Sequence, residues 1–160
     1  MASAVATEKI RSEWRVLGCD HDPAATTAVI CSADGGTTLK YIDLRDYDKV
    51  GALAIGTIFG DSTDFTLMEL IASDTITFTN VVVIKTSGTI ALSAIPDQAW
   101  LECTAEEVQH LATTYNLRYL AVRLTGGHAG HEAVVVYFAH ARRPHTAITP
   151  STIVAGTETA

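Results

Sequence analysis

Between residues 26 and 140 the chain is a succession of short, β-branched, apolar runs. A turn signal interrupts them every 8–12 residues or so. That cadence leaves little choice of fold. Runs of this length cannot form long helices, and strand–helix alternation, which a parallel α/β sheet needs, is absent. Ten or so short strands predict an antiparallel sandwich or barrel. The two ends do not share the cadence. Residues 1–13 and 142–160 carry no firm apolar period and no core of their own. Three parts are therefore expected: an arm at 1–13, a β-sandwich domain at 14–141 and an extended arm at 142–160. Free termini usually fray, so arms of this kind are expected to be held by something outside the domain.

Strands are expected at 14–18, 26–31, 38–44, 49–59, 65–71, 76–84, 89–92, 100–103, 118–124 and 132–140. The turns between them have chemical reasons. Asp34-Gly35-Gly36 accepts the positive φ of a tight hairpin, and Gly60-Asp61-Ser62, Ser87-Gly88 and Pro96-Asp97 punctuate the later runs. Gly51 and Gly56 mark the 49–59 strand as one crossed closely by other backbone. The run Val81-Val82-Val83-Ile84 fits a strand covered on both faces, or one passing from core to subunit contact. In 118–124, Leu120, Val122 and Leu124 share one face and Tyr119, Ala121 and Arg123 the other.

A single helix is predicted over about 105–115. Thr104 and Glu107 form a capping box, each able to satisfy a backbone N–H of the other. Val108, Leu111, Ala112 and Tyr115 then share a face, with Asn116 as the C-cap.

Composition excludes several functions. The chain has 160 residues, one domain's worth. Its net charge of -7 opposes a nucleic-acid partner, which needs a basic face. Acid gathers between Asp20 and Asp74; it reads first as a solvated and solubilising face, and otherwise as a half that steers toward a basic partner surface. No apolar stretch is long enough for a membrane span. No apolar segment of signal-peptide type follows Met1, so synthesis in a cytoplasm is expected. Charged residues are only 18% of the chain, against roughly 25% in ordinary soluble domains. A surface that short of charge is either rich in Thr and Ser or partly covered by neighbours. The three cysteines, Cys19, Cys31 and Cys103, show no CxxC spacing and are expected as reduced, buried, small apolar residues.

Catalytic patterns are weak. His128 and His131, in a Gly-rich loop, supply only two of the three or four ligands that a zinc site needs. No GxSxG elbow occurs. The glycine-rich segment 125–130 precedes a strand and lacks the Lys-Ser/Thr ending of a phosphate loop. Cys103 lies just before the helix N-terminus, where a thiolate would be stabilised, but has no His partner in view. Glu106 and Glu107 are adjacent on the helix and point apart, so they make no acid pair. His110 is expected on the exposed side of the helix. No enzyme activity, cofactor or metal is expected.

The segment Tyr41-Ile42-Asp43-Leu44-Arg45-Asp46-Tyr47, leading into an apolar strand, resembles one common in small structural proteins of tailed bacteriophages. There an extended strand leads into a Tyr-containing turn and a central strand. The later order is similar too: a short helix at 104–115, a strand at 117–124, a Gly/Ala loop and a final strand ending in Ala141-Arg142-Arg143-Pro144. The resemblance covers roughly residues 38–144. It implies a capsid cement (decoration) protein with a jelly-roll-like sandwich, often a homotrimer, bound to the major capsid protein on the virion surface. The arms would then carry the contacts, through Ile10, Trp14, Arg142, Arg143, Pro144, Ile148, Pro150, Ile153 and Val154. Arg142 and Arg143 fit two readings equally: pairing with carboxylates of a neighbouring subunit, or the solvated end of a strand. A different class is also open: a β-sandwich module binding carbohydrate, in a tail or baseplate for example, with Trp14, Trp100 and Tyr137 stacking on sugar. An exposed Trp100 beside polar groups favours that reading and a buried one opposes it. A hydrolase or metalloenzyme would need His128, His131 and a carboxylate in one pocket.

Overall fold

A computed structural model describes residues 14–21, 28–33, 38–58, 65–92, 98–126 and 132–141. The strands, in chain order, are β1 (Trp14–His21), β2 (Ala28–Ile30), β3 (Ser32–Ala33), β4 (Thr38–Leu39), β5 (Ile42–Asp43), β6 (Tyr47–Ile58), β7 (Phe65–Ser73), β8 (Val81–Leu92), β9 (Gln98–Thr104), β10 (Tyr119–Thr125) and β11 (Glu132–Ala141). The helix α1 (Ala105–Leu111) lies between β9 and β10.

Every strand pair is antiparallel. Sheet 1 has the order β1-β11-β6-β9, and sheet 2 the order β2-β10-β7-β8, with β5 also paired to β10. Following the chain, β1 is in sheet 1, β2 in sheet 2, β6 in sheet 1, β7 and β8 in sheet 2, β9 in sheet 1, β10 in sheet 2 and β11 in sheet 1. Among these eight strands only the β7–β8 connection stays within one sheet; β3 and β4 pair with each other in a separate two-stranded sheet. That alternation is the strand order of a jelly roll.

The pleat explains the layers. In β6, Val50, Ala52 and Ala54 face inward and are fully buried. In β11, Val135, Tyr137 and Ala139 do the same. Met68, Leu70 and Ala72 of β7 and Leu120, Val122 and Leu124 of β10 meet them from sheet 2, in one continuous core. The face expected for β10 is thus the one that enters the core. Its other face is not left to solvent. Ala121 and Ile71 form a second, smaller cluster with Phe78, packed by Ile30, Leu39, Tyr41, Val81 and Tyr119 on the outside of sheet 2.

Several elements differ from the sequence reading, each for a local reason. Ser87-Gly88 does not turn the chain: β8 runs through it to Leu92. The β7–β8 register shifts nearby, and the Ser87 hydroxyl accepts from the N–H of Met68 at 3.0 Å, taking the place of a ladder carbonyl. The expected strand at 76–84 begins only at Val81, since residues 74–80 fold as a loop. Hydroxyls of Ser73, Thr75, Thr77 and Thr79 bond one another and the backbone there, competing with a ladder. Phe78 sits at φ 51°, a conformation it keeps by burying its ring in the second cluster. The expected strand at 38–44 is split at 40–41, because the Lys40 N–H turns to the Cys31 carbonyl and its own carbonyl accepts from Tyr137.

The capping box forms as expected, with the Glu107 N–H donating to Thr104 Oγ1 at 3.1 Å and the Thr104 N–H donating to Glu107 Oε2 at 2.8 Å. The helix is shorter than predicted, however, and Ala112 rather than Asn116 is its C-cap. Val108 is fully buried, whereas Leu111 and Tyr115 stay exposed. The chain leaves the helix early in order to sink Leu117 into the core, and the Gln109 side chain donates to the Leu117 carbonyl to hold that exit.

The β5–β10 corner is pinned by charge. Asp43 receives the Arg118 guanidinium at 2.6 Å and the Arg45 guanidinium at 2.9 Å, and Arg118 also stacks on Tyr119 at 4.7 Å. Hydrogen bonds from Arg118, aided by those from Arg45, hold the Asp43 carboxyl well below the usual carboxylate range. The folded state therefore keeps Asp43 ionised where the unfolded chain, near pH ~4, begins to protonate it. The stability this contributes is complete above that pH and is lost as pH falls toward the depressed folded value. Urea unfolding should show a steeper loss between pH ~4.5 and ~2.5 in the wild type than in Asp43→Asn. Equal acid limbs would refute the pairing.

Candidate functional site

The outward positions at the centre of sheet 1 carry an apolar group, Leu53, Ile55, Trp100, Val134, Val136 and Phe138, where an antiparallel sheet with one solvated face commonly alternates to polar residues. Register places them in rows. Trp100 of β9, Leu53 of β6 and Val136 of β11 are cross-strand neighbours. One row further, Gln98, Ile55 and Val134 align, and on the other side Glu102, Gly51 and Phe138 do so. Leu53, Ile55, Val134, Val136 and Phe138 are half-buried, and Trp100 is 48% exposed. Three strands about 4.8 Å apart and five residues of each make a face of roughly 10 Å by 14 Å between Cα positions.

Gly51 is the reason for the shape of this face. A Cβ built there would stand 2.4 Å from Trp100 Cζ2 and 2.6 Å from Cη2. The indole thus lies directly over the bare glycine backbone, and it meets the Phe138 ring at a centroid distance of 5.5 Å. The sequence reading expected backbone to cross at this glycine; what crosses is an aromatic side chain. One edge of the face is polar, with Lys49 paired to Glu102 at 3.4 Å and His140 to Asp48 at 2.8 Å.

Tyr137, grouped with Trp100 as a sugar-stacking residue in the sequence reading, is not on this face. It is fully buried, and its hydroxyl accepts from the Val122 N–H at 2.7 Å while donating to the Lys40 carbonyl at 3.2 Å. It ties sheet 1 to sheet 2. Burial raises its phenol above the ordinary range. The Trp14 backbone is the first residue of β1, paired with His140, but its side chain lies outside the described residues. The other expected contact residues, Ile10, Arg142, Arg143, Pro144, Ile148, Pro150, Ile153 and Val154, also lie outside them, as do His128 and His131.

The cysteines correct the expectation of three free thiols. Cys31 is disulfide-bonded, whereas Cys103 is a free, buried thiol. Desolvation, with Glu107 nearby, pushes the Cys103 thiol up to about 12. It is neutral at physiological pH and no nucleophile. Folded protein should leave Cys103 unreacted with a thiol-specific disulfide reagent at pH 8, and unfolding in urea should release it. Rapid labelling of the folded chain would contradict its burial.

A shallow groove of about 420 Å³ runs between α1 and β8, lined by Ile84, Lys85, Thr104, Glu106, Glu107, His110 and Leu111. Its chemistry is already engaged. Lys85 is paired with Glu107 at 2.8 Å, and Glu107 also completes the helix cap. His110 is exposed, as expected. Among the described residues no three His, Cys, Asp or Glu side chains gather as a metal site would require. No helix among them is long and apolar enough to cross a membrane. The apolar face was only partly legible in advance: Trp100 was singled out, but Leu53, Val136 and Phe138 read as ordinary strand residues until the register placed them outward. Comparison with protein-family models and with curated proteins found no match.

Proposed function

We propose that this chain is a virion structural protein, a cement subunit that binds the outer surface of a tailed phage's major capsid protein shell and also associates with its own copies, as a homotrimer. The observation that carries the proposal is the apolar outer face of sheet 1. The two-sheet core is complete without it, so Trp100, Leu53, Val136 and Phe138 do not serve the interior. Apolar faces of this kind mark contact surfaces. The jelly-roll order and the low charge content support the same reading. Each copy would add inter-subunit burial worth ~25 cal/mol per Å² of apolar area, less the cost of docking, repeated over many copies.

The test is co-sedimentation of the pure chain with expanded heads of tailed phages stripped of their decoration proteins. The wild type should pellet with heads to a fixed ratio of chain to shell protein, and Trp100→Asp should remain in the supernatant. A wild-type chain that stays monomeric and leaves every head preparation bare would sink the proposal.

A second reading has its own observation. Trp100 is exposed, packs against Gly51 and is flanked in β9 by the exposed polar residues Gln98 and Glu102. That is a platform on which a pyranose ring could stack. Glycan binding by the wild type, abolished in Trp100→Ala, would favour this module over the shell protein.

A further inference from the structure

We infer that the outer face of sheet 1 receives residues 146–155 from a neighbouring copy of this chain, laid across Trp100, Phe138, Leu53 and Val136 as an exchanged strap. This rests on the assembly reading above and names the occupant of its contact face.

Three observations point to that segment. The first is where the described chain ends. β11 belongs to the apolar face through Val134, Val136 and Phe138, and it runs from them through His140 to Ala141. β11 thus carries the chain away from the centre of the face and ends at its rim, at Ala141. The second is length and direction. Arg143 precedes Pro144 and Thr149 precedes Pro150. A residue before proline is biased away from helical backbone, which favours an extended strap over a helical tail. Fourteen residues, 142–155, extend up to roughly 46 Å. That is about three times the length of a face about 14 Å long.

The third is chemical fit. From Thr146 to Thr157 the chain has no charged residue and carries Ile148, Ile153 and Val154 among threonines and alanines. A neutral, β-branched strand of this kind suits a neutral apolar surface. It would be out of place in water, where a tail of its length is ordinarily charged and polar. Exchange of an identical segment between protomers is also a low-cost route to a closed oligomer.

The test uses the full chain with the photo-crosslinking residue p-benzoylphenylalanine in place of Trp100. Equal amounts of unlabelled and ¹⁵N-labelled protein are mixed, irradiated and mapped by mass spectrometry. Cross-links from position 100 should fall on residues 146–155, with heavy–light pairs about as frequent as same-isotope pairs. Ile153→Asp with Val154→Asp should cut their yield at least tenfold. Tail cross-links confined to same-isotope pairs would overturn the exchange, and none to the tail would overturn the inference. Should the photo-crosslinking variant fail to fold, acrylamide quenching of Trp100 in a Trp14→Phe background tests the covering of the face, and its loss of protection on dilution to monomer tests the exchange. Quenching should rise several-fold on the two tail substitutions, and unchanged quenching would count against the strap. Head binding without strap cross-links removes the strap and leaves the cement reading standing. Strap cross-links without head binding do the reverse.

Discussion

Replacing Tyr137 by Ala should destabilise the domain by about 3–5 kcal/mol, the range for losing a fully buried aromatic ring. The side chain is the largest fully buried one among the described residues. Its hydroxyl does separate work. It accepts from the Val122 N–H in sheet 2 and donates to the Lys40 carbonyl, in the segment between β4 and β5. Tyr137→Phe keeps the packing and strands that buried N–H, so it should cost ~1–3 kcal/mol. Urea denaturation of the two variants separates packing from hydrogen bonding. Wild-type stability in Tyr137→Phe would mean that the inter-sheet bond contributes nothing.

Breaking the disulfide at Cys31 should cost about 2–4 kcal/mol. Cys31 is fully buried where β2 passes into β3. Its N–H donates to the Val122 carbonyl at 2.8 Å, and its carbonyl accepts from Lys40 at 2.9 Å. The covalent bond therefore anchors a stretch of very short strands that have few ladder bonds of their own. The denaturation midpoint should fall when reductant is added to the wild type and should not respond to reductant in Cys31→Ser. Identical midpoints for oxidised and reduced wild type would show that the bond has no part in holding this region.

The β-rich class and the antiparallel sandwich were readable because β-branched runs and Gly/Asp turns are local signals. The strand at 49–59 and the capping box at Thr104 and Glu107 were found for that reason. What was not readable depended on partners distant in sequence. Ser87-Gly88 has the composition of a turn, but its serine bonds Met68 across the sheet and the strand continues. Val81-Val82-Val83-Ile84 left two readings open, and the structure removes the doubly covered one: β8 is the edge of sheet 2, with Val83 exposed. Tyr137 and Trp100 look alike as candidate platforms, and only register tells that one enters the core and the other stands outside it. The Cys31 disulfide was missed because wide spacing and an odd cysteine count carry no pairing information.

The central claim is that the outer face of sheet 1 is a contact surface of an assembly. Sedimentation velocity on the full chain, from about 1 to 100 μM, tests it most directly when wild type is run beside Trp100→Asp with Leu53→Asp. Both substitutions are on the outward face, so the core should stay intact, as circular dichroism can verify. The account predicts that the wild type shifts toward trimer as concentration rises and that the double variant stays monomeric throughout. A wild type that remains monomeric across the range, or a double variant that associates equally well, would contradict it.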